Sequence, residues 1–189
     1  FSGRLTDVTD VRAVVITHEH PDHWTAEHLT DLRTRFPEAP VLGPAGVAAA
    51  VADALGEDVV QVVAPGDVRE VGGFRLELFG GTHAEIHRTV PRPDNVGVLV
   101  DGTLFHPGDS LELPGVGVPV LAAPAGAPWL KLGEAIDFVL DVAPQTVIAI
   151  HDAVLSEAGL RMHEGRLAAA VESLGGRYVQ LRPGDAVDL

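Results

Sequence analysis

The segment Thr17-His18-Glu19-His20-Pro21-Asp22-His23-Trp24 places three histidines and two carboxylates within eight positions. The whole chain has nine histidines, so three of them within six positions is far denser than an even distribution. Imidazole and carboxylate are the side chains that most often ligate metal ions through nitrogen and oxygen. The segment therefore raises the question of whether the rest of the chain supplies a metal site around it.

The residues on either side of this segment indicate where it lies in the fold. The preceding run, Ala13-Val14-Val15-Ile16, is apolar and partly β-branched, which is typical of a buried strand. After the segment, Leu29, Leu32 and Phe36 recur at helical spacing and Pro37 closes the pattern. The histidines therefore occupy a loop between the carboxyl end of a strand and a helix, a usual place for a site in an α/β protein.

Composition limits the classes of protein that the chain can belong to. With 189 residues, 46% of them hydrophobic, the chain can form one domain over residues 1–189 with a substantial core. No apolar run approaches the ~20 residues needed to cross a bilayer, so no membrane segment is expected. The chain has no cysteine, which excludes disulfides and thiolate ligands, and the cytoplasm is the default compartment.

The charge balance bears on possible partners. The chain carries 13 Lys and Arg against 27 Asp and Glu, a formal net charge of −14. Nucleic acid binding depends on Lys and Arg contacts to phosphate, so we expect no nucleic acid partner. A small-molecule substrate is the favoured partner, and the sequence carries no signal for an oligomeric state.

The remainder of the chain reads as a mixed α/β domain without repeats. Gly72-Gly73 and Asp101-Gly102 each separate two strand-like segments, which predicts two hairpins whose turns need positive φ. Strand and helix patterns alternate in the second half. The predicted elements outside the hairpins are helices at 46–55, 131–143 and 156–174 and strands at 58–63, 118–123, 146–150 and 177–181.

Further candidate ligands follow other predicted strands. His83 and His87 lie in FGGTHAEIH, Asp109 lies in LFHPGDS, and His151 lies in VIAIHDA. Each residue comes where an apolar strand ends, so one rim of the fold could gather them. Nitrogen and oxygen ligands without a thiolate suit zinc, manganese, iron or nickel.

In this order, the motifs resemble those of the metallo-β-lactamase fold superfamily of metal-dependent hydrolases. Its H-x-H-x-D-H motif, later single His, Asp in a Gly-Asp pair and final His are similar to segments 18–23, 83, 108–109 and 151. HPGDS and GTHAEIH look most like the branch that includes ascorbate-phosphate lactonase. The resemblance implies an α/β fold, an αββα sandwich of two mixed sheets flanked by helices, with the metals at one sheet edge.

The resemblance also implies a ligand set for two divalent metal ions, with zinc favoured. His18, His20 and His83 would hold the first ion. Asp22, His23 and His151 would hold the second, and Asp109 would bridge them. His87, four residues after His83, is the alternative ligand to His83 or a residue that faces the substrate.

The predicted activity is hydrolysis of a small ester, lactone or phosphoester by a hydroxide shared between two metal ions. Asp22 would accept a proton and His87 or His106 would protonate the leaving group. The alternative is a catalytically idle metal-binding domain that recognises a small ligand or partner, because a fold does not guarantee activity. All seven expected ligands are present, which favours the enzyme.

Two features are left open by the sequence. Family members usually begin with strands ahead of the H-x-H motif, and only sixteen residues precede Thr17, so we expect the first strands to be missing. Trp129 follows a buried strand in a proline-rich segment, where it could line a pocket or simply pack in the core.

Overall fold

The computed structural model describes residue 5 and residues 8–188. Residues 14–62 form a three-stranded sheet in which two helices connect the strands. The order is β1-β2-β3 and all pairs are parallel, because a helix crosses over between successive strands. The elements are β1 (Val14–Val15), α1 (Ala26–Arg35), β2 (Val41–Gly43), α2 (Ala45–Leu55) and β3 (Val60–Val62).

The rest of the described chain forms a seven-stranded mixed sheet with two helices. Its strand order is β10-β9-β8-β7-β6-β5-β4, antiparallel from β4 to β7 and parallel from β7 to β10. The elements are β4 (Val68–Val71), β5 (Phe74–Thr82), β6 (Asp94–Val100), β7 (Leu104–His106), β8 (Val120–Pro124), α3 (Leu132–Val142), β9 (Thr146–Ile150), α4 (Glu157–Ser173) and β10 (Arg177–Val179).

Three apolar clusters divide the fold into four layers. One packs α1 and α2 on the small sheet and includes Leu29 and Val47. A second lies between the two sheets and includes Leu42 and Leu78. The third packs α3 and α4 on the large sheet and includes Leu121. This arrangement confirms the predicted α/β fold with an αββα order of layers.

The two predicted hairpins form as expected. Gly72 and Gly73 connect β4 to β5 with φ of 59° and 92°, and Asp101 and Gly102 connect β6 to β7 with φ of 51° and 62°. Two consecutive residues at positive φ match the turn that fits the right-handed twist of paired strands. The turns set the registers of the strands that they join, with Val71 opposite Phe74 and Val100 opposite Leu104.

Strand direction gathers the ends of several strands at one edge. Strands β5, β7, β8 and β9 run in the same direction, since β6 is antiparallel to both β5 and β7 and the pairs from β7 to β9 are parallel. Their carboxyl ends therefore lie on the same edge of the large sheet. The small sheet meets this edge through a 2.9 Å hydrogen bond from Val96 N–H to the carbonyl of Thr17.

The prediction that the family's first strands are missing concerns the residues ahead of β1. Residues 1–4, 6 and 7 lie outside the described residues, and the prediction stays a prediction. Among the described residues, no helix is long and apolar enough to cross a membrane.

The cluster between the sheets should dominate the stability of the fold. Leu42 is 0% exposed in this cluster, so Leu42→Ala leaves a cavity that the sheets cannot fill, and we expect a loss of about 2–5 kcal/mol in the free energy of unfolding. Leu140→Ala, at a position that is 38% exposed on α3, is the matched control and should cost about 1 kcal/mol or less. Urea unfolding of the metal-free proteins measures both values. Equal losses in the two variants would contradict this account.

Candidate metal centre

The loop after β1 is held at its carboxyl end and within its length by local hydrogen bonds. Its carboxyl end enters α1, where the Thr25 hydroxyl accepts a 3.1 Å hydrogen bond from His28 N–H as an N-cap. Within the loop, His23 N–H donates to the carbonyl of His20 at 3.0 Å, and the Trp24 indole donates to the carbonyl of Glu19 at 3.1 Å. The loop therefore has a defined conformation in which His18, His20 and His23 all turn toward one cluster.

The side chains predicted from the sequence converge into three overlapping groups of ligand atoms. In each group the nitrogen or oxygen atoms lie within 4.8 Å of one another. The groups are His18, His20 and His83; His18, His23 and Asp109; and Asp22, His23 and His151. The structure thus brings together all seven residues that the sequence analysis named as metal ligands.

Asp109 lies at the centre of the cluster and is 3% exposed. Its Oδ1 is 3.2 Å from His23 Nε2, and its Oδ2 is 3.2 Å from His151 Nε2. The same Oδ2 is 3.4 Å from His83 Nε2 and 4.0 Å from His18 Nε2. One carboxylate therefore faces histidines from all three groups.

Asn95, which the sequence analysis did not name, holds the backbone on either side of Gly108. Its side chain is 0% exposed, accepts from Asp109 N–H at 3.0 Å and donates to the carbonyl of Pro107 at 2.9 Å. Gly108 has φ of 66°, and a Cβ there would lie 2.2 Å from Asn95 Oδ1 and 2.9 Å from Thr17 Cβ. A polar residue in the otherwise apolar run NVGVLV is the signal that could have identified Asn95.

The Nδ1 atoms of the histidines have oxygen partners that turn Nε2 toward the centre. His83 Nδ1 lies 2.5 Å from the carbonyl of Ala84, and His151 Nδ1 lies 2.7 Å from that of Gly126. A carbonyl only accepts, so both rings are assigned a proton on Nδ1, which leaves Nε2 to face the centre. The Thr17 hydroxyl oxygen lies 3.1 Å from His18 Nδ1 and 3.5 Å from His23 Nδ1. Such outer partners are typical of metal-binding histidines.

The charge state of the metal-free cluster follows from burial and from the central carboxylate. Burial lowers the pKa of His18 to about 3 and also lowers the pKa of His20. Burial opposes the ionisation of Asp109, but the neighbouring imidazoles of His151, His23 and His83 hold its pKa well below its usual range. The hydrogen bond to Asp109 raises the pKa of His151 to about 9. Asp109 is thus an anion paired with a protonated His151 when no metal is bound.

Three atoms in the cluster test whether the residues fit a metal. His18 Nε2, His83 Nε2 and Asp109 Oδ1 are buried and have no hydrogen-bond partner within the described part of the chain. Buried polar atoms without partners are costly and rare. All three carry lone pairs that point into one cluster, so the donor set fits divalent cations.

The other sequence candidates lie outside the three groups. His87 is exposed, and its Nδ1 accepts from Thr89 N–H at 3.2 Å. His106 Nδ1 accepts from Gly108 N–H at 3.1 Å, and burial lowers the pKa of His106 to about 4. The structure thus selects His83 over His87 as the member of the cluster.

Glu19 and Trp129 also have defined places. The Glu19 carboxylate lies against the first turn of α2, where a Cβ added at Gly46 would come within 2.4 Å of it. Trp129 is buried, and its indole N–H donates to Asp109 Oδ2 at 2.9 Å. The sequence analysis left open whether Trp129 lines a pocket or packs in the core, and neither alternative included this hydrogen bond.

Comparison with known proteins agrees with the fold and the motifs. A family model described as a beta-lactamase superfamily domain matches residues 3–151. The chain therefore belongs to this superfamily. Protein Rv0786c of Mycobacterium tuberculosis (strain ATCC 25618 / H37Rv) is 37% identical over 172 residues, which cover 88% of this chain and 79% of that protein.

Solved structures share the fold at low identity. Igni18, a metallo hydrolase from the hyperthermophilic archaeon Ignicoccus hospitalis, matches 93% of this chain and 78% of its own, with a TM-score of 0.68 and 19% identity. CmlA, a diiron β-hydroxylase from Streptomyces venezuelae, matches 95% of this chain and 45% of its own, with a TM-score of 0.73 and 16% identity. The metallo-β-lactamase fold and a family of metal-binding hydrolases are thereby confirmed. The narrower likeness to the ascorbate-phosphate lactonase branch stays a prediction.

The Thr17 hydroxyl provides a test of the outer hydrogen bonds. Thr17→Val keeps the shape of the side chain but removes the hydroxyl that contacts the Nδ1 atoms of His18 and His23. Loss of such a partner typically costs about 10–100-fold in metal affinity, and we expect a loss in this range. Competition with a chromophoric chelator measures the affinity for Zn²⁺. Thr30→Val, at an exposed position on α1, is the control, and equal affinities in the two variants would contradict the assigned role.

The pair formed by His151 and Asp109 predicts a pH dependence of the metal-free protein. A metal-ligating histidine must be neutral, so metal binding at pH 7 should release about one proton from His151, and this release should disappear well above pH 9. The folded pKa of His151, about 9, exceeds its usual value of 6.5. Its contribution to stability is therefore full below pH 6.5 and is lost as pH rises through 9.

Calorimetric metal titrations in buffers of different ionisation enthalpy count the released protons. His151→Gln removes the titrating group and is the matched comparison. A release at pH 7 that is the same in both proteins would show that the proton comes from elsewhere.

Proposed function

We propose that this protein is a dinuclear metal-dependent hydrolase. The proposed ligands of the first ion are His18, His20 and His83, those of the second are Asp22, His23 and His151, and Asp109 is shared. The proposal rests on three buried atoms, one each on His18, His83 and Asp109, that have no hydrogen-bond partner among the described residues. They belong to two of the three overlapping groups of ligand atoms, and the Asp109 carboxylate lies within 4.0 Å of histidines from all three.

The donor set favours particular metals. Five imidazoles and two carboxylates suit zinc, manganese, iron or nickel, and we propose zinc as the resident ion. Two bound cations would supply Lewis acidity, making water a stronger acid and polarising the oxygen of the bond to be cleaved. This chemistry needs no nucleophilic side chain, in keeping with a chain that has no cysteine.

Asp22 is the proposed proton acceptor for the attacking water. Two of the seven proposed ligands are carboxylates, and that of Asp22 is the more accessible. The Asp22 side chain is 32% exposed, whereas that of Asp109 is 5% exposed. Asp22 Oδ2 also lies 3.6 Å from His151 Nε2, so it stays beside the cluster while it faces the solvent side. A group that exchanges protons with water and substrate needs such access.

His87 is the proposed proton donor to the leaving group. It lies on the segment between β5 and β6, four residues after His83. Because His87 Nδ1 accepts from Thr89 N–H, its neutral ring is assigned the proton on Nε2. This N–H is on an exposed side chain and is available to a bound substrate.

The same segment favours a substrate that carries negative charge. Arg92 Nε donates to the carbonyl of His83 at 2.8 Å, which keeps this guanidinium beside a proposed ligand. Among the described residues, neither Arg92 nor Arg88 forms an ion pair with a carboxylate. With a net charge of −14 on the whole chain, a local cationic rim would offset the repulsion of an anion. A phosphoester is therefore favoured over a neutral ester or lactone.

The proposal predicts metal-dependent turnover that requires Asp22. We expect the zinc-loaded protein to hydrolyse at least one member of a panel of lactones, carboxylate esters and phosphodiesters, and to lose this activity on chelation. Asp22→Asn keeps the shape of the side chain and removes its basicity, and should lower kcat about 10²–10⁴-fold, the usual contribution of general acid–base catalysis. Elemental analysis of the same samples gives the number of ions bound per chain.

Glu19→Gln is the matched control, because it makes the same acid-to-amide change in the same loop at a side chain that lies against α2. Its turnover should stay close to that of the unaltered protein. An Asp22→Asn protein with two ions and full turnover would remove Asp22 from the mechanism. A protein that binds two ions and cleaves no member of the panel would favour the catalytically idle alternative.

A further inference from the structure

Trp129 makes an unusual contact for a core aromatic residue. Its indole Nε1–H donates to Asp109 Oδ2 at 2.9 Å, and the two residues are 8% and 3% exposed. A buried indole N–H needs an acceptor, and a phenyl ring would fill the same space without that requirement. The polar atom of Trp129 is therefore placed on the carboxylate that faces histidines from all three ligand groups.

The loop that carries Trp129 also holds a second residue of the cluster. It follows β8, whose carboxyl end lies at the same sheet edge as those of β7 and β9. The carbonyl of Gly126 in this loop accepts from His151 Nδ1 at 2.7 Å. A Cβ added at Gly126 would lie 2.6 Å from Leu155 Cγ, so the backbone here packs closely against the segment after β9. One short loop thus fixes both His151 and Asp109.

The ring of Trp129 has further contacts inside the cluster. It packs edge-on against His83 with ring centroids 5.9 Å apart, and against His151 with centroids 6.3 Å apart. Its three neighbours are one residue from each of the three ligand groups. No other aromatic side chain of the described residues has contacts with members of all three groups, apart from the histidines of the cluster itself.

We propose that Trp129 is a positioning residue for the metal centre, whose indole N–H fixes the orientation of the Asp109 carboxylate toward both ions. This inference rests on the proposed function of the cluster as a two-metal site. The carboxylate of Asp109 can rotate about its χ2 bond unless a directional partner holds it. Removing the indole N–H frees this rotation and leaves the shared ligand less well oriented for either ion.

The expected effect is on metal affinity rather than on folding. Trp129→Phe keeps an aromatic ring against His83 and His151 and removes the N–H, and should weaken Zn²⁺ binding about 10–100-fold, as loss of an outer hydrogen-bond partner typically does. Tyr178→Phe is the matched control, because the Tyr178 hydroxyl donates to Glu164, a carboxylate outside the three ligand groups. Its affinity should stay within about threefold of that of the unaltered protein.

Chelator competition with Zn²⁺ measures the affinities, and the absorption spectrum of the Co²⁺-loaded proteins reports the ligand geometry. We expect the Co²⁺ spectrum to change in Trp129→Phe and to be retained in Tyr178→Phe. Unchanged affinity and an unchanged spectrum in Trp129→Phe would overturn the inference. Failure of the unaltered protein to bind Zn²⁺ would instead overturn the proposed function, so the two failures are distinguishable.

A second measurement does not depend on the folding of the Trp129→Phe variant. The chain has two tryptophans, so in Trp24→Phe all indole emission comes from Trp129. Because its N–H is bonded to a proposed ligand, the emission should change as Zn²⁺ is added and should level off at the metal content found by elemental analysis. Emission that stays constant while Zn²⁺ binds would overturn the inference.

Discussion

A single buried carboxylate, that of Asp109, is the constraint on which the site depends. An ionised carboxylate in a protein interior is very costly unless it is paired and hydrogen-bonded. Here the cost is offset by imidazoles on several sides and by the indole of Trp129. A protonated His151 supplies the balancing charge in the metal-free protein. The arrangement around Asp109 is therefore stable only if neighbouring strands deliver these partners to the same edge of the sheet.

The backbone meets this constraint with conformations that most residues avoid. Gly108 adopts a positive φ directly before Asp109, and there a side chain would collide with Asn95 and Thr17. His151 itself has φ of 56°, in the left-handed region that non-glycine residues rarely occupy. Such positions persist where the surrounding structure determines them and are concentrated at functional sites. The strain at His151 is thus a cost of turning its Nε2 toward the carboxylate.

Much of this site could be predicted from the sequence because its ligands are local to strand ends. The run Ala13–Ile16 and the dense loop after it identified the first four ligands, and apolar strands led to His83, Asp109 and His151. His83 was favoured over His87 from its place directly after the strand, but His87 stayed open as an alternative, because both follow the same strand and the sequence does not show which of them reaches the cluster. Asn95 and Trp129 lie 14 and 20 residues from Asp109. Their roles depend on the order of β6, β7 and β8 in the sheet, which local patterns do not encode.

The two halves of the site come from different sheets, and this links metal binding to the stability of the whole fold. The small sheet contributes the proposed ligands His18, His20, Asp22 and His23 through one loop, whereas the large sheet contributes the other three proposed ligands from the ends of three strands. The halves meet at the hydrogen bond between Thr17 and Val96, above the apolar cluster that holds the sheets together. Ions that need ligands from both halves bind only when the sheets are packed. The free energy of metal binding is therefore also free energy of folding, and packing between the sheets sets the geometry that the ions require.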